Sequence, residues 1–560
     1  MSSNPFAAPG SDADAGFQRR IGLFDATMLI VGTMIGSGIF VVSRSICQEV
    51  GTAGWLMAVW VLAGAMTIMG ALSYAELAAM MPHAGGQYVF LREAYSPLWG
   101  FLYGWTCFLV IQTGSIAAVA VVFARFLGVL VPFLGTSNII LRIEGVNLQL
   151  SLPWIEDPIF AMKDFTISMG QLVGVIVIIF LTALNCRGVQ EGKVVQNLFT
   201  VAKTAALIGL IIVGLFLVHS AVAWQANTAD LWDGIEETPA FQKVSSRMNV
   251  GWLAAALMVM GGAMVGALFS SDAWNNITFT AGEIRNPRRN LALSLILGPG
   301  IVIVLYLLAN LAYLSALPVR GDRDLNRQVI ALEAQIDQLK DSGQPEAAKE
   351  AAAKLEAVLK DATVLERGIA HARDERVATA VMELWRPNYG PFLMAIAVMI
   401  STFGSINGMV LMGARLYYVM ARDNLFFQRV GVLNHRGVPA VGLCLQGIWS
   451  ILLVFSGTYD DLLDFVIFAV LVFYVLTVAG LFILRHKLPD AERPYRAFAY
   501  PYMPALYVIL CAAIMVDLLL VKPKFTWPGL IIVLTGIPVY FVWSSRGRTR
   551  PAGEPAAGGH

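Results

Sequence analysis

Two ionisable side chains stand deep inside apolar sequence. Lys203 lies within Phe199-Thr200-Val201-Ala202-Lys203-Thr204-Ala205-Ala206, and Asp272 within Phe269-Ser270-Ser271-Asp272-Ala273-Trp274-Asn275-Asn276. Insertion scales put a lysine at the centre of a membrane helix at roughly 2.5–3.5 kcal/mol, so Lys203 should face other helices rather than lipid. Two chemistries are open to it there. It is either a fixed cation standing in for a metal ion, or a group that binds and releases a proton. At about eight residues past the aqueous boundary, snorkelling to water is a long reach. Asp272 also has two readings: it faces an ammonium or a cationic side chain of a ligand, or it caps the half-helix that restarts at Trp274.

Between these charges the main chain offers chemistry of its own. Gly32-Thr33-Met34-Ile35-Gly36-Ser37-Gly38-Ile39-Phe40 places three glycines in the middle of the first long apolar segment. Glycine weakens a helix interior and tolerates backbone angles that other residues resist. Unpaired peptide groups are costly in hydrocarbon, so a broken helix persists only around a protein-enclosed cavity. Gly261-Gly262 and Gly266 lead into the polar run at Asp272 and predict a second break. Breaks at matching positions of two halves point to a midplane site of the kind a secondary transporter uses for a small ion or zwitterion. Phe269 and Trp274 are candidate aromatic lids beside the second break. Ser401-Thr402-Phe403-Gly404-Ser405 supplies a hydroxyl-rich helix face.

The elements that must position these residues are long apolar segments. Hydrophobic residues make up 57% of the 560-residue chain and charged residues 14%, with mean hydropathy +0.67. Twelve segments have the length to cross a bilayer: 22–48, 54–81, 97–130, 166–186, 194–219, 250–279, 288–317, 388–421, 439–456, 461–485, 500–520 and 526–545. Their short loops collect Arg and Lys on one side (Arg92, Arg187, Lys193, Arg285, Arg288, Arg422 and Arg485 among them), which predicts that both termini are cytoplasmic. The expected organisation is a cytoplasmic tail over 1–20, spans one to seven over 21–318, an exterior charged helical-hairpin insertion over 319–387, spans eight to twelve over 388–545 and a second cytoplasmic tail over 546–560. In the insertion, Val329, Leu332, Ile336 and Leu339 repeat at helical spacing, as do Ala351, Leu355, Val358 and Leu359, around a break at Asp341–Pro345. They predict two solvated helices sharing one apolar seam.

Composition also excludes. A net charge of +1 gives no reason to expect nucleic-acid binding. Ser2 to Gly16 is polar and acidic, without the layout of a cleaved signal. The five cysteines lie in or beside apolar segments with no metal-ligand spacing, and the six histidines are scattered singly. No nucleophile–base set suggests an enzyme, and no cofactor or metal is called for. Nothing resembles the repeated rings that line a channel.

In its ordered motifs the chain resembles the amino acid–polyamine–organocation superfamily, and within it the L-type amino acid transporter branch. The motifs are Gly32–Phe40; Ser73-Tyr74-Ala75-Glu76-Leu77 with Gly85-Gly86-Gln87-Tyr88; Leu184-Asn185-Cys186, Val195-Gln196-Asn197 and Lys203; Trp274-Asn275 running into Glu283-Ile284-Arg285-Asn286-Pro287; Phe403–Gly408 with Arg415-Leu416; and Glu492-Arg493-Pro494-Tyr495-Arg496. They follow family order over about 20–545, the insertion excepted. The resemblance implies an all-α polytopic protein of about twelve membrane helices with a five-plus-five inverted-repeat core and broken helices one and six.

It further implies secondary active, sodium-independent amino acid transport at a plasma or inner membrane, by exchange or proton coupling and chiefly of neutral amino acids. A cationic amino acid or polyamine carrier of the same fold is the alternative. Carried over to this chain, the amides of Ser37, Gly38 and Ile39 receive the substrate carboxylate. Carbonyls around Thr33 to Ile35 and from Phe269 through Ser270 to Asp272 accept its ammonium, and Phe269 occludes the site. Lys203 matches the lysine that replaces a sodium ion in this branch, with Ser401, Thr402 and Ser405 on the facing span. Loop 131–165 lacks the cysteine that joins eukaryotic members to a heavy chain, so no disulfide-linked partner is expected. The competing class is an amino-acid-sensing membrane protein that signals through 319–387.

Overall fold

In lipid a segment must satisfy its own peptide groups, and the apolar segments of this chain do so as helices. A computed structural model describes residues 18–136, 138–150, 160–342, 344–373, 376–456 and 459–548. The tail assignments over 1–17 and 549–560 lie outside these residues. Among the described residues, eleven helices are long and apolar enough to cross a membrane. A twelfth, Ala440–Val454, sits where the ninth span is expected and is shorter. Their outward faces carry side chains such as Ile176, Ile179 and Phe180, each more than half exposed. That is the surface lipid requires.

The first span is discontinuous, as Leu23–Met34 followed by Gly38–Val41 and Ser43–Val50. The sixth runs as Trp252–Ser270, turns, and resumes over Trp274–Glu283 as a tighter 3-10 helix. The first span packs against the fifth, seventh and eighth, which places its break inside the bundle. None of Gly32, Gly36 and Gly38 has a positive φ. Two of the three glycines serve close approach instead. A Cβ on Gly32 would lie 2.0 Å from Thr200 Oγ1, and one on Gly38 would lie 2.1 Å from Ser270 Oγ.

Two charged networks tie the end of the bundle that carries the basic loops. Glu76, fully buried on the second span, accepts from Arg485 Nη2 at 2.6 Å and from the amide of Ala497 at 2.6 Å, with Arg493 Nε at 3.4 Å. Arg415 on the eighth span donates from Nε to Glu283 Oε1 at 2.9 Å, with both residues almost wholly buried. Removing one partner of such a pair strands a buried charge, at about 3–5 kcal/mol. Arg415→Met is therefore expected to lower the melting temperature strongly in detergent, and Glu283→Leu added to it should restore most of the loss.

Outside the spans the chain departs from a simple loop reading. Loop 131–165 carries an antiparallel hairpin, Ile139–Leu150 with Phe160–Ser168, pairing Arg142 with Thr166. Residues 220–250 hold two short helices, Ala221–Ala229 and Pro239–Met248. Within 319–387, helices Arg323–Asp341 and Pro345–Asp361 pack on each other, burying Val329, Ile336 and Ala351. Their root is fastened to the bundle. Ile369 and Ala370 donate backbone bonds to Pro318 and Val319, and Arg44 of the first span donates to the Ala370 carbonyl at 3.2 Å. Burial and the nearby Arg44 cation pull the His371 imidazole down to about 4, so at neutral pH it is uncharged beside Asn326 Oδ1, 2.7 Å away. The following helix, Val377–Trp385, packs against Gly38–Val41.

Candidate substrate site

At the first break the helix stops at Met34, and Ile35 leaves helical geometry at ψ 86°. Freed carbonyls must then find donors. Lys203, with no exposed surface, supplies them from the fifth span. Its Nζ donates toward the Gly32 carbonyl, toward Ile35 O at 2.9 Å, toward Ser401 O at 3.0 Å and toward Ser405 Oγ at 3.0 Å. Ser401 Oγ reaches Ile35 O at 2.9 Å and Gly36 O at 3.1 Å, and Ser405 Oγ reaches Ile35 O at 2.9 Å. The Lys203 amine thus sits inside a cage of oxygens from the first and eighth spans. The Ile35 carbonyl is fully used by this cage, so it holds the break in shape rather than offering a free acceptor. Thr402 does not join the cage, because its hydroxyl donates to Val398 O of its own helix at 2.8 Å.

The second half-helix begins directly after the cage. Amides of Ser37, Gly38 and Ile39 precede any intrahelical acceptor and lie at the positive end of its dipole. Ser37 is buried, and its Oγ has no hydrogen-bond partner among the described residues. Thr33 turns its hydroxyl back to Leu29 O at 2.6 Å.

The sixth-span break faces the first. Ser270 closes its helix with Oγ on Gly266 O at 2.8 Å, and Ala273 takes a left-handed φ of 68° before the 3-10 segment. Asp272 does not cap that segment: the capping position is Ala273, and no side chain caps it. Its carboxylate instead accepts from the Tyr474 hydroxyl of the tenth span. Trp274 is buried against the rings of Tyr74 (4.9 Å between centroids) and Tyr474 (5.4 Å), a packing position rather than a lid. Phe269 is half-buried at the end of its helix, where an occluding ring would stand. Beyond Asp272 a cavity of about 20 Å³ has a mixed lining, polar at Gln87, Gln112, Asn275 and Asn276 and apolar at Ile111, Met409 and Val470. Here Asn275 donates to Gln87 Oε1 at 2.9 Å and Asn276 to Gln112 Oε1 at 3.2 Å.

Sequence reasoning missed what joins the two breaks. The Tyr306 hydroxyl of the seventh span lies 2.9 Å from Met34 O and 3.1 Å from Ser270 O, bridging both interrupted helices. Asn310 accepts from Ser43 Oγ at 2.6 Å, and Tyr313 donates to Ile39 O at 3.0 Å. Tyr306, Asn310 and Tyr313 share one helix face by their spacing of four and three, which was the available signal. Tyr306→Phe removes the bridge: its single hydroxyl hydrogen serves one of the two carbonyls at a time, so one buried carbonyl loses its donor, at about 1–3 kcal/mol for an unmet group. We expect substrate affinity to fall about tenfold or more while expression holds, measured by concentration dependence of uptake.

Comparison with known proteins fits this geometry. Residues 25–542 match the family model for amino acid permeases. The human large neutral amino acids transporter small subunit 2 is 26% identical over 541 residues, covering 96% of this chain and 83% of that protein. The human cystine/glutamate transporter is 26% identical over 95% of this chain and 87% of its own length. The human b(0,+)-type amino acid transporter 1 is 26% identical over 94% and 88% respectively.

Proposed function

The chain belongs to the amino acid permease family, and from that premise we propose that it is a sodium-independent secondary transporter of neutral amino acids working by alternating access. The observation that carries this reading is the Lys203 ammonium held by Gly32, Ile35, Ser401 and Ser405. It supplies the charge and the oxygen cross-link between the first and eighth spans that a sodium ion supplies elsewhere. The substrate carboxylate takes the amides of Ser37, Gly38 and Ile39, a helix N-terminus suited to an anion. Its ammonium takes the Thr33 carbonyl and those of the Phe269–Asp272 turn. Phe269 closes over it. Coupling is by exchange or by protons, with both termini cytoplasmic and the insertion outside a plasma or inner membrane. The relative named as a small subunit implies a larger partner for that protein. Here, with no cysteine in loop 131–165, no disulfide-linked partner is proposed.

Replacing sodium by choline in an uptake assay should leave the rate unchanged, and a rate that collapses without sodium refutes the cation-substitution reading. One observation favours a second substrate class. The Asp272 carboxylate borders the small cavity and has a hydroxyl rather than a cation beside it, so it suits an arginine-like substrate. Competition of arginine against leucine decides between them, with Asp272→Asn expected to cut arginine uptake alone.

A further inference from the structure

A much larger cavity, about 350 Å³, lies away from the helix breaks at the end of the bundle that carries the insertion. That is near the lower bound of small-ligand sites. Its walls include Thr52, Asp230, Asp233, Arg320 and Arg323, drawn from the start of the second span, the segment after the fifth and the root of the insertion. Thr52 occupies the cap position of the 28-residue helix Ala53–Met80, yet its side chain makes no capping bond. Thr52 is 5% exposed, and its buried Oγ1 has no hydrogen-bond partner among the described residues. Native interiors leave few such hydroxyls unpaired, so each one calls for a missing group.

The charges around it come in opposite pairs. Arg320 is locked in place, donating from Nε to Gly51 O at 2.7 Å and from Nη1 to Glu237 at 2.6 Å. Arg323 pairs with Asp230 at 3.1 Å. Asp233 lines the same cavity and makes no hydrogen bond or ion pair among the described residues. The Gly54 amide in the first turn already donates to the Leu231 carbonyl at 2.8 Å. The open group for an anion is therefore the Thr52 hydroxyl at the positive end of the helix dipole, in a cavity that the paired guanidiniums of Arg320 and Arg323 also line. The Asp233 carboxylate attracts a cation.

We propose that this cavity is a second binding site, separate from the helix breaks, for a small zwitterion bearing a primary ammonium and an anionic group. The anion sits at the Thr52 hydroxyl and the head of the second span beneath Arg320 and Arg323, and the ammonium sits at Asp233. Arg320 also holds Gly51, the left-handed residue that ends the second half of the first span (φ 71°). A ligand here therefore touches the same arginine that anchors that half-helix. The chemistry is shared by a free amino acid and by the ethanolamine headgroup of a phospholipid.

The test uses the full chain in nanodiscs, with Thr52→Val, which removes only an unpartnered hydroxyl, and Asp233→Asn, which alters an exposed carboxylate. In phosphatidylcholine discs, labelled alanine is titrated by equilibrium dialysis. In discs of phosphatidylcholine and phosphatidylethanolamine, three to one, retained lipid is read by native mass spectrometry. One more equivalent of alanine on the unaltered chain than on either variant, with affinity lost about tenfold or more, establishes a free-zwitterion site. Phosphatidylethanolamine retained by the unaltered chain and lost from both variants establishes a headgroup site. Equal binding of both probes to all three proteins, or binding of neither, overturns the proposal. Because the readout is a difference between proteins, it stands whether or not alanine also binds at the breaks.

Discussion

Lys203→Met is expected to abolish amino acid uptake while the protein still inserts and folds. The substitution preserves length and apolar volume but removes the amine shared by Gly32, Ile35 and Ser401, leaving the single Ser405 hydroxyl within reach of all three. Hydrogen bonds from a charged donor contribute about 1.5–3 kcal/mol each, and the Ser405 hydroxyl, with one hydrogen, cannot serve all three carbonyls left behind. Ser401 and Ser405 still hold Ile35, so the break loosens rather than disappears. A loss of several kcal/mol at the hinge of alternating access corresponds to at least about a hundredfold in transport rate. Uptake compared with surface abundance measures it. An active Lys203→Met protein would mean that the cage is packing alone.

Gly38→Ala should reduce transport more than tenfold for a purely steric reason. A Cβ there would lie 2.1 Å from Ser270 Oγ, 2.7 Å from Ser270 Cβ and 3.0 Å from Ser270 Cα. The oxygen can rotate away, but Cβ and the main chain cannot. The two interrupted helices must therefore separate at the point where we propose that the carboxylate binds. Overpacking of this kind costs about 1–3 kcal/mol. Ser270→Gly in the same chain removes both side-chain contacts and should restore a measurable fraction of uptake. Recovery in the double variant and not in either single one identifies the contact as the cause.

The membrane helices and both breaks were legible because apolar length and a polar or glycine-rich interruption are local properties of sequence. Lys203 was legible for the same reason, since a lone charge in an apolar segment announces a partner. What failed was reading side-chain direction. Trp274 beside a break looks like a lid, but its ring is enclosed by Tyr74 and Tyr474 from other spans. Thr402 has the right residue type next to Ser401 but bonds its own helix. The spacing of Tyr306, Asn310 and Tyr313 marks one polar helix face, but nothing local shows that Tyr306 meets carbonyls 272 and 36 residues away. The first-break glycines were noticed for a freedom of backbone angle that they do not use. Gly32 and Gly38 are required by contacts that only the assembled bundle creates.

The most direct test of the account is flux of labelled leucine, alanine and arginine into liposomes containing the purified protein. Empty vesicles, amino-acid-loaded vesicles and vesicles under an inward proton gradient are compared with vesicles carrying Lys203→Met. The account predicts accumulation of at least one amino acid by the unaltered protein in the loaded or gradient condition, and none by the variant. Uptake only into loaded vesicles makes Lys203 a fixed charge, and gradient-driven uptake into empty ones makes it a proton carrier. No flux of any amino acid under either condition would contradict transport at the helix breaks and favour a protein that binds amino acids there in order to signal.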